Sequence, residues 1–135
     1  MIAIAGAGAF GTALAVALGR EGRAVTLWAR DVGEMAERRR NARYLPGVDL
    51  PETVTVTADR EVFARAEVVL LAVPMQALAG FVEANAALFG GKWLVACCKG
   101  VDLTTLRGPV AVIEARRPGA RAAPAIASME NFMVD

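Results

Sequence analysis

A chain of 135 residues, 56% hydrophobic and 21% charged, is sized for one domain with a sizeable core, which excludes global disorder. A net charge of +1 gives no electrostatic ground for a nucleic-acid partner, and the absence of histidine removes the commonest general base and metal ligand. No apolar run reaches the ~18 residues of a membrane helix; the nearest, Val68 to Val82, is broken by Pro74 and Gln76.

No basic segment precedes the first apolar stretch, so a signal peptide is not expected. Ile2 to Ala5 reads as a short strand running into GAGAFG, residues 6–11. Phe10 to Glu21 reads as a helix with Leu14 and Leu18 on one face and Gly22 as its stop. Ala24 to Trp28 follows as a β-rich strand, then a polar helix over Val32 to Arg40 and a loop from Asn41 to Pro51. The basic run Arg38, Arg39, Arg40 and Arg43 follows Glu34 and Glu37, the pattern of a solvated helix face.

Thr53 to Thr57 alternates as an edge strand would. Glu67 to Val73 is a continuous apolar run suited to a central parallel strand buried on both faces. Pro74 ends it, and Met75 to Ala87 predicts a helix with Leu78, Phe81 and Val82 inward. Trp93 to Cys98 predicts another buried strand. Cys97 and Cys98 are adjacent and poorly placed to bridge each other, so reduced thiols packing a strand end are expected, in a cytoplasmic protein. Gly108-Pro109 interrupts any helix begun at Leu103, and Val110 to Arg116 resumes one. Strands alternating with helices predict a single α/β domain, a Rossmann-type doubly wound and mainly parallel sheet. Residues 123–135 show no clear periodicity.

Strand, glycine turn, helix and strand at the N-terminus are the context in which G-x-G-x-x-G holds a dinucleotide. Gly6 permits the tight turn, Gly8 the approach of a pyrophosphate, and Gly11 close helix–strand packing. The helix N-terminus behind them offers free N–H groups and a positive dipole end. At the end of the second strand, Arg30 suits the 2′-phosphate of NADP while Asp31 keeps NAD open; NADP is favoured. Pro74 can turn the chain along the nicotinamide half of the cofactor. Lys99, after the fifth strand and before Gly100, would face the cofactor and an anion beside it. No carboxylate pair or metal-ligand spacing stands out, and no metal site is expected in this chain.

GAGAFGTALA, LWARD, NARYLPGVDLP, LAVPMQAL and CCKGVD stand in an order and spacing that resemble the N-terminal domain of bacterial NAD(P)-dependent glycerol-3-phosphate dehydrogenases over roughly residues 1–107. The resemblance implies hydride transfer between the cofactor nicotinamide and C2 of sn-glycerol 3-phosphate, interconverting it with dihydroxyacetone phosphate. It implies cofactor contacts from Ala9 and Phe10, the adenosine end at Arg30 with Tyr44 near it, and cofactor and substrate contact at Lys99. Ala9 departs mildly from the serine common there. By the same resemblance, VIEARRPGARAA (112–123) looks like the helix leading to the next strand, while PAIASMENFMVD lacks the family's substrate-binding segment. The expected division is therefore a cofactor domain over 1–122 and an atypical tail over 123–135, truncated or frame-altered, with the catalytic second domain absent. Such a chain is expected to bind cofactor, to turn nothing over alone, and to self-associate through an exposed sheet edge. A stand-alone nucleotide-sensing module is the alternative. A keto-acid or imine reductase of the same fold is disfavoured by NARYLP and CCKGVD.

Overall fold

The structure, a computed structural model, describes residues 1–125. The chain begins β1 (Ile2–Ala5), α1 (Ala9–Arg20), β2 (Val25–Trp28), α2 (Met35–Arg38), β3 (Arg40–Asn41) and β4 (Leu45–Asp49). It continues β5 (Val54–Thr57), α3 (Val62–Arg65), β6 (Val68–Leu71) and α4 (Met75–Ala84), then β7 (Trp93–Ala96), α5 (Pro109–Arg116) and β8 (Arg121–Pro124). Six of these strands form one parallel sheet in the order β5-β2-β1-β6-β7-β8. Counting only those six, the order is 3-2-1-4-5-6, the doubly wound arrangement whose strand order reverses beside β1. The edge position expected for Thr53 to Thr57 is that of β5. The expected tail is described only to Ala125, with β8 inside it at Ala123 and Pro124; residues 126–135 lie outside the described residues.

Alternation along each strand builds two cores, one per face of the sheet. Ile4, Val25, Leu27 and Val54 point to α1, where Ala15 and Val16 meet them. Ala3, Ala5, Val69, Leu71, Leu94 and Ala96 point to the other face, covered by Leu78 and Val82 of α4, Val112 and Ile113 of α5, and Phe63. β6 thus lies centrally, with Val69 and Leu71 fully buried and Leu70 packed against the α1 core. Trp28, Phe63, Phe81 and Phe89 form a chain of rings with centroids 5.4–6.2 Å apart. Each such pair adds roughly 0.5–1.5 kcal/mol beyond the area it buries.

Several expected elements are redrawn. The inner face of α1 is carried by Gly11, Ala15 and Gly19, with Leu14 and Leu18 only half-buried at its flank. The reason is distance: a Cβ at Gly19 would stand 2.7 Å from the Val54 Cγ2, so this helix sits too close for leucine. The polar helix over Val32 to Arg40 shrinks to the single turn of α2. Asp31 Oδ1 accepts the Gly33 amide in a tight turn at one end, and Arg39 adopts a left-handed φ of 58° at the other. Arg39 also leaves the expected solvated face, since its guanidinium donates to the carbonyls of Pro51 and Val54.

The expected loop over Asn41 to Pro51 holds the antiparallel β3–β4 hairpin. Short strands interrupted by Pro46 and Gly47 carry too little alternation to register as strands. α4 ends at Ala84, and the rest of the expected helix is one 3-10 turn, Ala86–Leu88. Trp93, expected to be buried, is 46% exposed because it opens β7 at the amino end of the sheet. Lys92 beside it is buried, its ammonium donating to the carbonyls of Phe63, Ala64 and Ala66 and so closing the end of α3.

Candidate functional site

At the carboxyl ends of β1, β2 and β6 lies an open cleft of about 1870 Å3. Its floor is the loop from Gly6 to Gly11, the turn from a buried strand into α1. Gly6 has φ +110°, and a Cβ there would come within 2.7 Å of the Ala72 carbonyl oxygen. At Gly11 a Cβ would meet the Gly6 carbonyl oxygen at 2.0 Å, so α1 can leave β1 at this angle only if position 11 has no side chain. Gly8 differs from both. Its backbone is ordinary extended chain (φ −74°, ψ −171°), and a Cβ built on it meets nothing within 4 Å. Neither strain nor neighbours among the described residues require glycine at 8; the space it leaves opens on the cleft.

Gly8 caps α1 with no side-chain bond, and its carbonyl accepts the Thr12 amide. The first N–H groups of α1 therefore have no acceptor from a capping side chain, and the positive end of a twelve-residue helix faces the cleft. Ala9 and Phe10 are exposed on the cleft wall, Phe10 at 39%.

The second wall comes from the end of β2 and the β3–β4 hairpin, and it is rich in arginine. Arg38 pairs with Glu34 and Arg40 with Asp49, whose carboxyl is held below its ordinary range by that hydrogen bond and charge. Arg43 lies with its guanidinium carbon 5.0 Å from the centre of the Tyr44 ring. Arg30 is exposed on the cleft and, among the described residues, has no ion pair. The Asp31 carboxylate, by contrast, is engaged in its turn with Gly33. On the third side Pro74 caps α4 and lines the cleft with Val73 and Phe81.

Gly6, Gly8, Ala9, Phe10, Gly11, Arg30, Tyr44 and Pro74 thus come together around one cleft. Lys99 does not line it. It stands exposed beyond the end of β7, followed by Gly100 at φ +94°. Cys98 is buried and Cys97 half-buried, both free; burial and the neighbouring thiol push Cys97 up to about 12. Asn41 is the residue that motif reading passed over. It is 8% exposed at the start of the hairpin and reaches the glycine loop. Its only signal in the sequence was membership in N-A-R-Y-L-P, a segment with no generic explanation in this fold.

Sheet order, glycine turn and cleft at the strand reversal define a Rossmann-type nucleotide-binding domain. The family described as NAD-dependent glycerol-3-phosphate dehydrogenase N-terminus matches residues 1–127, and the chain belongs to it. Similar proteins include the glycerol-3-phosphate dehydrogenase [NAD(P)+] of Cereibacter sphaeroides, 55% identical over 91% of this chain and 36% of that one. Its counterpart in Paracoccus denitrificans is 53% identical over 99% of this chain and 41% of that one. Among solved structures, the glycerol-3-phosphate dehydrogenase of Coxiella burnetii superposes with a TM-score of 0.84 at 30% identity, over 91% of this chain and 39% of that one. The chain spans about two-fifths of the length of these relatives. Among the described residues, no helix is long and apolar enough to cross a membrane.

Proposed function

We propose that this domain is the cofactor half of a glycerol-3-phosphate dehydrogenase and that it prefers NADP(H) to NAD(H). The observation that carries the reading is Gly8, a position whose freedom from strain and from neighbours leaves room for a group outside the chain, directly over the N-terminus of α1. A pyrophosphate is an anion of the right charge for that helix end, and its approach requires that no Cβ intervene. Arg30 supports the preference for NADP, since it is unpaired among the described residues while Asp31 is committed to its own turn. The adenosine end then lies against Arg30, with Tyr44 near it on the same wall, and Ala9 and Phe10 flank the phosphates. Pro74 bounds the path toward the nicotinamide half.

Bound in this cleft, the nicotinamide would supply the hydride exchanged with C2 of sn-glycerol 3-phosphate or dihydroxyacetone phosphate. Lys99, an exposed cation at the carboxyl end of β7, would attract the substrate phosphate and reach the cofactor from that side. The residue that moves the proton would belong to a second domain. Residence in the cytoplasm and self-association belong to the same reading. Titration with NADPH and NADH, followed by Trp28 quenching, tests it. Trp28 lines the cleft while Trp93 sits at the opposite end of the sheet, so Trp28 is the reporter. Saturable binding, tighter for NADPH and losing that preference in Arg30→Ala, is expected. Failure to bind either nucleotide at millimolar concentration would overturn the reading.

A further inference from the structure

Given the nucleotide reading of the cleft, on which this rests, we infer that Asn41 is the positioning residue that aims the glycine loop at the pyrophosphate. Asn41 spends its side-chain N–H groups on that loop and on the first turn of α1. Nδ2 donates to the Ala7 carbonyl at 2.8 Å and to Thr12 Oγ1 at 2.8 Å. Its Oδ1 accepts the Tyr44 amide at 3.3 Å, which ties the same side chain to the hairpin. Asn41 and Thr12 are both buried, so the bond between them forms away from bulk water.

The peptide between Ala7 and Gly8 is trans, like every peptide bond among the described residues, so its C=O and N–H point in opposite directions. Holding the Ala7 oxygen on Asn41 therefore fixes the Gly8 N–H on the side away from Asn41. It also satisfies a carbonyl that would otherwise be free to turn its negative end toward a bound anion. Flanking Gly8 offers no side chain to resist rotation of that peptide, and among the described residues nothing lies within 4 Å of where its Cβ would be. The second bond, to Thr12, locks the first turn of α1 to the same amide group, so loop and helix end present their donors as one unit. Asn41 needs no contact with the nucleotide to do this.

The 135-residue protein and its Asn41→Ala variant are titrated with NADPH and with adenosine 2′-monophosphate, which has no pyrophosphate, the latter by amide chemical shifts. Asn41→Ala is expected to weaken NADPH at least tenfold and the monophosphate less than threefold. Equal weakening of both would make Asn41 an anchor of the hairpin alone and overturn the inference, as would unchanged NADPH affinity. Where Asn41→Ala does not fold, Asn41→Asp takes its place with the same expectation, because its carboxylate still accepts the Tyr44 amide while losing the bond to the Ala7 oxygen. A wild-type protein that binds NADPH but not the monophosphate removes the adenosine-end assignment, and NADPH affinity in the variant then decides. A wild-type protein that binds neither refutes the nucleotide reading itself, and this inference falls with it.

Discussion

Replacing Gly8 and Gly11 separately by alanine divides ligand space from packing space. At Gly8 the backbone lies where any residue can sit, and the new methyl meets nothing within 4 Å. Alanine restricts the unfolded chain, a gain of about 0.4–1 kcal/mol, and is a poorer helix N-cap than glycine by a similar amount. The two offset, and Tm is expected to stay within roughly 5 °C of wild type. A pyrophosphate seated on the loop loses a charge-assisted bond when that methyl intrudes, about 1.5–3 kcal/mol, or roughly 10- to 150-fold in Kd for NADPH. Gly11→Ala behaves in the opposite way. Its methyl would lie 2.0 Å from a backbone oxygen that cannot move without shifting β1 or α1. Overpacking of backbone against backbone costs about 3 kcal/mol, which exceeds the ~1 kcal/mol that alanine gains in helix propensity. Thermal melts and NADPH titrations of both variants check the pair. A Gly8→Ala protein that binds NADPH as wild type does, or that melts 10 °C lower, would refute the reasoning.

Lys92→Met leaves the carbonyls of Phe63, Ala64 and Ala66 without their buried donor, and a loss of about 1–3 kcal/mol is expected, read as a lower Tm. An unchanged Tm would show that water replaces the ammonium at no cost. Cys97, with its pKa pushed up to about 12, remains a protonated thiol at pH 8. Its alkylation in the folded protein is expected to be at least a hundredfold slower than after unfolding in urea, where the thiol returns to its ordinary range. Equal rates would argue against the burial that raises it. Among the described residues no strand pairs beyond β8 (Arg121–Pro124), and an exposed edge there is expected to produce dimers or larger assemblies. A monodisperse monomer by light scattering would count against that association.

Local chemistry in the sequence was enough for the strand–glycine–helix–strand unit, for β6 and for α4. Each depends on signals carried within a few residues: an apolar run, a glycine at a forced turn, a proline at a boundary. The roles of Gly6 and Gly11 were legible for the same reason, since the turn they serve closes within six residues. The β3–β4 hairpin was not, because Arg40 and Asn41 become a strand only by pairing with Asp49 and Leu45, across an irregular register. Arg39 read as one of a solvated basic run, yet its partners, Pro51 and Val54, stand 12 and 15 residues away in sequence. Asn41 is the sharpest case. It bonds back to Ala7 and Thr12, 34 and 29 residues earlier, and no window along the chain contains that contact. Residue types determined where the chain could turn and what kind of ligand a glycine loop could hold. Only the folding of the hairpin over that loop decided which side chain holds it in place, because hydrogen-bond partners distant in sequence meet only when the sheet has ordered them.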